Sequence, residues 1–315
     1  MKQFLLILLP VILLINNAAA QGTATDWFNK GVKLNDSARH SAAVTAYERA
    51  IALDANYSDA YYRLGWTYNE LAVYDKAIEK LIKALDLKKT DAFSMQELGY
   101  AYNKKGNYIE ALNYLNKAIY QKPDYARAYK QLGDAYGGLK RNTEAITAYE
   151  KAYSLNNKDE GACYQAGYLY NATEKYELAL SWLNKAVAIK PTVSAYNEMG
   201  FAKYKLLKND EAFAGYKNAL LINPKNGTAY KGMGDVYRRN FKPAKTTEAI
   251  EQYKKAVMYN PKSSGSYFGL GWCYNETQNY DSAIANLKKA SELDPKLTAA
   301  FTELGYAQYM KGYYT

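Results

Sequence analysis

The chain reads as all-α, a solenoid of stacked antiparallel helix pairs with eight complete units and a ninth, partial one. Three observations predict this. A glycine recurs at Gly31, Gly65, Gly99, Gly133, Gly167, Gly200, Gly234, Gly271 and Gly305, with gaps of 34, 34, 34, 34, 33, 34, 37 and 34. Each complete unit then carries an alanine, a large apolar residue and a second alanine, as in Ala77, Leu81 and Ala84. Five of the eight complete units close on a proline: Pro123, Pro191, Pro224, Pro261 and Pro295. A fixed period of this size marks one supersecondary unit copied along the chain.

The first helix of each unit holds the glycine. Glycine inside a helix costs about 1 kcal/mol against alanine, so nine of them need a packing reason. Small residues here let neighbouring helix axes approach, with Leu64, Leu98, Leu132 and Leu270 and a row of tyrosines from Tyr68 to Tyr274 filling the seam. A polar turn such as Lys105-Gly106-Asn107 follows. The second helix holds the two alanines and the large residue between them: Tyr47, Leu81, Leu115, Tyr149, Leu183, Tyr216, Tyr253 or Leu287. Offsets of three, four and seven share one helix face. Proline then ends the helix and turns the preceding residue towards extended backbone. No unit buries its apolar face alone, so stability comes from stacking.

These residues resemble the tetratricopeptide repeat family. Tyr61-Tyr62-Arg63-Leu64-Gly65-Trp66-Thr67-Tyr68, followed by Ala77, Leu81 and Ala84, matches its helix-pair signature, and the resemblance covers residues 24–315. Units fall at about 24–57, 58–91, 92–125, 126–159, 160–192, 193–226, 227–263, 264–297 and 298–315. The resemblance implies a right-handed superhelix whose concave groove is lined by the first helices, and a role in binding proteins.

Within that geometry, offsets −3, +1, +4 and +5 from the glycine face the groove. At +1 stand Trp66, Tyr100, Tyr168, Phe201, Trp272 and Tyr306, with Val32, Asp134 and Asp235 as exceptions. At +4 stand Asn35, Asn69, Asn103, Asn171 and Asn275, with Tyr204 in the sixth unit and Arg238 in the seventh. At −3 stand Phe28, Tyr62, Lys130, Tyr164, Lys231 and Phe268 among others. Aromatic faces stack on rings and apolar side chains, and asparagine offers both a donor and an acceptor. Such a track suits a peptide or protein partner; sugar hydroxyls on a glycan or cell wall are the alternative. The bland reading is that the aromatics pack between units and the asparagines end the first helix. Aromatics favour the open groove; the asparagines leave both readings standing. Some family members clamp a partner's terminal carboxylate with lysine at −3 and asparagine at +1. Here Lys130 precedes Asp134 and Lys231 precedes Asp235, an acid where that clamp needs an amide.

The seventh unit breaks step with Arg238-Arg239-Asn240-Phe241-Lys242-Pro243-Ala244-Lys245. Arg238, Arg239, Lys242 and Lys245 around Phe241 form a basic turn able to take an acidic loop, or a plain solvated insertion. In the sixth unit Lys203 replaces the usual tyrosine and Tyr204 takes over its place. The ninth unit offers Phe301, Leu304, Met310, Tyr313 and Tyr314, so either the chain continues or that surface meets a partner. The repeats would then be the sensor or assembly arm of a larger envelope protein.

Residues 1–20 differ in kind. Lys2, an apolar run from Phe4 to Ile15 and Ala18-Ala19-Ala20 read as a secretory signal peptide cut after Ala20. The run is short for a transmembrane span of ~20 residues, although an uncleaved anchor is the alternative. No cysteine stands directly after the cut, and no later stretch could span a bilayer. The mature chain is expected to be exported, periplasmic or secreted.

The formal net charge is +10. Arg49, Lys83, Lys117, Lys151, Lys185, Lys255 and Lys289 each precede the second alanine, near a helix C-terminus where a cation complements the dipole. That stripe reads as solvated surface, and export argues against nucleic acid. Cys163 and Cys273 lie three units apart, too far for a disulfide, and read as small packing residues. A lone His40 and the absence of a phosphate loop or metal-ligand cluster leave no enzyme and no cofactor in the reading. Glu97 and Glu303 are expected to be exposed helix charges.

Overall fold

The computed structural model describes residues 22–241 and 245–312. Residues 1–20, read above as a signal peptide, and Lys242, Pro243, Ala244, Tyr313 and Tyr314 lie outside the described residues. Among those described, the chain forms seventeen helices and no strand. It divides into two compact units between Asn157 and Lys158.

The first unit pairs α1 (Ala24–Asp36) with α2 (His40–Leu53), α3 (Ser58–Glu70) with α4 (Tyr74–Leu87), α5 (Ala92–Lys104) with α6 (Tyr108–Gln121), and α7 (Ala126–Gly138) with α8 (Asn142–Leu155). The second pairs α9 (Glu160–Ala172) with α10 (Tyr176–Ile189), α11 (Val193–Lys205) with α12 (Asn209–Ile222), α13 (Gly227–Asn240) with α14 (Thr246–Tyr259), and α15 (Ser264–Glu276) with α16 (Tyr280–Leu293), and adds α17 (Thr298–Lys311). Within each unit successive first helices touch one another, while successive second helices share no comparable contact. Each stack is therefore tighter along its first helices, the face that carries the +1 aromatics.

The turn of the seventh helix pair is longer and lies partly outside the described residues; in the other seven of the eight pairs the turn reverses the chain in three residues by placing its middle residue in the left-handed region. That residue is glycine only at Gly106 (φ 78°); Ala38, Ala72, Lys140, Glu174, Leu207 and Gln278 adopt φ of 55–61°. Residues there close the α-helix with backbone bonds such as Asn107 N to Tyr102 O at 2.9 Å, the Schellman type of C-terminus.

The glycine comb has a sharper cause than close helix axes. A Cβ at Gly65, Gly99, Gly167 or Gly271 would lie 2.4–2.6 Å from Cγ of Leu81, Leu115, Leu183 or Leu287. At Gly31, Gly133, Gly200 and Gly234 it would meet the ring of Tyr47, Tyr149, Tyr216 or Tyr253 at 2.5–2.8 Å. Each glycine is the socket for the large residue of its own second helix. Gly305 has nothing within 4 Å.

Cys163 and Cys273 are free and buried in the second unit. The expectation of an exposed Glu97 fails: it is 1% exposed, wedged between α3 and α7.

Candidate functional site

The +1 aromatics sit where one helix pair meets the next. Trp66 meets His40 edge-on at 6.2 Å, Tyr100 meets Tyr74 at 6.4 Å and Phe201 meets Tyr176 at 6.3 Å, each partner opening the preceding second helix. One edge is held and the remaining surface faces outward. Tyr168 is 44% and Phe201 36% exposed, whereas Trp66, Tyr100 and Trp272 are half-buried. At −3, Tyr164 stacks on Tyr168 at 6.4 Å. In the first unit the rings knit to one another instead: Phe28 to Tyr57 at 5.0 Å, Tyr62 to Phe93 at 6.4 Å and Phe93 to Tyr125 at 5.5 Å. Burial pushes the Tyr62 hydroxyl up to about 12. Lys130 is half-buried on α7.

The asparagine track belongs to the scaffold. Asn69 donates through Nδ2 to the Glu97 carbonyl (3.1 Å) and carboxylate (2.8 Å). Asn171 does the same to Glu198 and Asn275 to Glu303, and Asn103 donates to the Gln131 carbonyl at 2.8 Å. Each bond crosses from one helix pair to the next. Asn69, Asn171 and Asn275 are buried, so their amides are unavailable to a ligand.

These bonds follow a rule that the sequence alone contains. Wherever leucine fills the glycine socket, asparagine stands at +4 of the same repeat and Glu or Gln two residues before the next glycine: Leu81 with Asn69 and Glu97, Leu115 with Asn103 and Gln131, Leu183 with Asn171 and Glu198, Leu287 with Asn275 and Glu303. A tyrosine in the socket reaches further. The rings of Tyr216 and Tyr253 extend over Gly232 and Gly269, where a Cβ would lie 2.2 and 2.4 Å from Cζ. The choice between leucine and tyrosine in the socket is the readable signal of this rule.

The basic turn of the seventh repeat does not gather its cations. Arg238 points inward, its Nε donating to Tyr253 Oη at 3.1 Å and its guanidinium 5.6 Å from the Phe268 ring, 5.1 Å from that of Trp272 and 3.8 Å from Asp235 Oδ1. Nearby Tyr253 and Asp235 stabilise its charge and hold it firmly protonated, more than offsetting the burial that opposes them. Lys245 covers the Phe241 ring at 4.4 Å, and Phe241 packs on Tyr237. Of the three described cations, Arg239 and Lys245 are exposed and Arg238 is half-buried.

The second unit carries an open cavity of about 470 Å³ on its first-helix face. Tyr168, Phe201 and Tyr204 form an aromatic side; Glu198, Lys231 and Asp235 a charged one. Lys231 bonds Asp235 at 2.6 Å, which neutralises the lysine a carboxylate clamp would use. Burial raises the Glu198 carboxyl above its ordinary range, with the Asn171 bond opposing. Tyr216 of α12 forms part of the wall. Among the described residues no group of His, Cys, Asp and Glu could hold a metal ion, and no helix is long and apolar enough to cross a membrane.

Comparison with known proteins places this arrangement. Residues 46–79, 91–158 and 160–192 match family models described as tetratricopeptide repeat, and residues 271–312 match one described as TPR repeat. Among solved structures, the APC/C hetero-tetramer Cut9–Hcn1 aligns with a TM-score of 0.61 at 18% identity over 85% of this chain and 52% of that chain. A tetratricopeptide repeat protein of Parabacteroides merdae aligns at 0.60 and 17% over 80% of this chain and 98% of its own. The C-terminal part of a TPR repeat-containing protein of Cytophaga hutchinsonii aligns at 0.61 and 18%, over 77% and 99%. The chain spans about half the length of the Cut9–Hcn1 chain it matches, and at these identities the likeness concerns the fold. No curated protein sequence matches.

Proposed function

Because the chain belongs to the tetratricopeptide repeat family, we propose that it is a non-catalytic scaffold that holds a peptide segment of a partner protein against the aromatic face of its first helices. The observation that carries this is the second-unit cavity with Tyr168 and Phe201 exposed at its mouth. Aromatic side chains in a partly dry pocket supply most of the energy in such interfaces, and a pocket of several hundred Å³ accommodates one or two side chains of a partner. A glycan would need the asparagine amides as donors, and these are engaged within the scaffold.

The test is a displayed random-peptide library panned on the whole chain, with the Tyr168→Ala/Phe201→Ala variant as counter-selection. Peptides that enrich on the parent and lose at least tenfold in affinity on the variant support the reading. Peptides that bind both alike, or no enrichment, overturn it. The character of residues 1–20 supports an exported location, and a mature N-terminus at Gln21 by intact mass is the corresponding expectation.

A further inference from the structure

The four tyrosines that fill glycine sockets differ in one respect. The Tyr47 hydroxyl accepts from Asn35 Nδ2 at 3.2 Å and Tyr149 donates to Asp134 at 2.7 Å. Tyr253 donates to Asp235 at 2.6 Å and accepts from Arg238 at 3.1 Å. Tyr216 is 3% exposed, its hydroxyl has no hydrogen-bond partner among the described residues, and the residue lines the second-unit cavity, so its hydroxyl is not sealed away from that space. A hydroxyl that reaches a cavity without a partner from the protein is free to bond a group placed there.

The next repeat shows what that partner is. There the Tyr253 ring lies over Gly269 as the Tyr216 ring lies over Gly232. The space beside the Tyr253 hydroxyl is filled by Arg238, at +4 of its repeat, between two aromatic rings and Asp235. In the sixth repeat the +4 residue is Tyr204, which brings no cation, while the rest of the setting recurs in permuted form: aromatic rings from Phe201 and Tyr204, acids from Glu198 and Asp235. One Glu198 oxygen accepts from Asn171; its second oxygen has no partner among the described residues. The wall already attracts a cation, since Lys205 lies 5.9 Å from the Phe201 ring. In a chain of net charge +10, this lining carries three acids, Glu174, Glu198 and Asp235, against two bases, Lys205 and Lys231.

We infer that the cavity bounded by Phe201, Tyr204, Tyr216, Glu198 and Asp235 is a seat for an arginine guanidinium of the bound segment, an inference that rests on the peptide-holding reading above. The planar guanidinium stacks on aromatic faces and forks between acceptors, which a lysine ammonium cannot do. It donates to Tyr216 Oη and Glu198 and competes with Lys231 for Asp235.

The probe is N-acetyl-arginine amide against its neutral isostere N-acetyl-citrulline amide, titrated into the whole chain by saturation-transfer NMR. Arginine amide is expected to bind about tenfold tighter than citrulline amide, the difference a charge-assisted hydrogen bond supplies. Tyr204→Arg sets a guanidinium at the position Arg238 uses and should abolish probe binding. Tyr216→Phe keeps the ring and should weaken binding at least threefold, while Lys231→Met should strengthen it. Equal binding of the two probes, or arginine binding unchanged in Tyr216→Phe, overturns the seat. Library peptides that need Phe201 but carry no arginine would also overturn it and leave the peptide-holding reading standing.

Discussion

Gly99 and Leu115 occupy one space: a Cβ on the glycine would lie 2.4 Å from Leu115 Cγ and 2.6 Å from its Cδ2. Alanine at 99 must push the α6 side chain away from α5, an overpacking that costs about 1–3 kcal/mol against a gain in helix propensity of about 1. Gly99→Ala is therefore expected to lower the urea midpoint. Gly305→Ala meets open space and keeps only the propensity gain, so its midpoint should rise. Equal shifts in the two variants would refute the socket.

The left-handed turn residues offer a converse test. Lys140 sits at φ 60° and Gly106 at φ 78°. A side chain in that region costs about 1–2 kcal/mol, while glycine's extra freedom in the unfolded chain returns part of it. Lys140→Gly should stabilise by about 0.5 kcal/mol and Gly106→Ala should destabilise by about 1, both read by thermal melting.

Glu97 gives the fold a pH dependence. Its burial holds the carboxyl above the ordinary range, opposed by Arg127 at 3.2 Å and by the Asn69 bond. The folded chain thus retains this proton to higher pH than the unfolded chain does. Its contribution to stability is largest in acid and falls as pH rises through the ordinary glutamate range towards the raised value. Glu97→Gln, which copies Gln131 at the matching position of the next repeat, should flatten that slope and be more stable than the parent at pH 8. A slope unchanged by the substitution would show that other groups carry it.

Two hydroxyl deletions should differ in sign. Tyr149→Phe loses a 2.7 Å bond to Asp134 and should cost about 1–2 kcal/mol. Tyr216→Phe removes a hydroxyl that bonds no described residue and reaches the cavity, and should be neutral or stabilising by less than about 1 kcal/mol. Chemical denaturation of both variants decides this, and a loss at Tyr216 as large as at Tyr149 would reveal a bond to it in solution.

The helix pairs and the buried alanines were legible because period and face are set by local spacing. The glycine's true neighbour was legible in principle too, since the large residue follows its glycine by sixteen residues in seven repeats and by nineteen only across the insertion between Gly234 and Tyr253. The asparagines misled because a residue near a helix end suits turn, ligand and scaffold alike; only the distance from Asn69 to Glu97 separates these. Arg238 misled for a related reason. Its neighbours in sequence are cations, but its neighbours in space are Tyr253, Phe268 and Trp272, and only the fold brings those together.

The leucine–asparagine–glutamate set has a consequence for how such an array can grow. Its three members span the joint between adjoining helix pairs, as Leu81, Asn69 and Glu97 do. Duplication of a single helix pair carries the leucine and the asparagine but leaves behind the acid they require. Placed directly before the seventh or the eighth repeat, the copy would face Gly232 or Gly269 where it needs a carboxylate. The heritable cassette is therefore staggered against the visible one, running from one first helix into the next, and viable crossovers are expected to fall beyond the glutamate rather than at the loop.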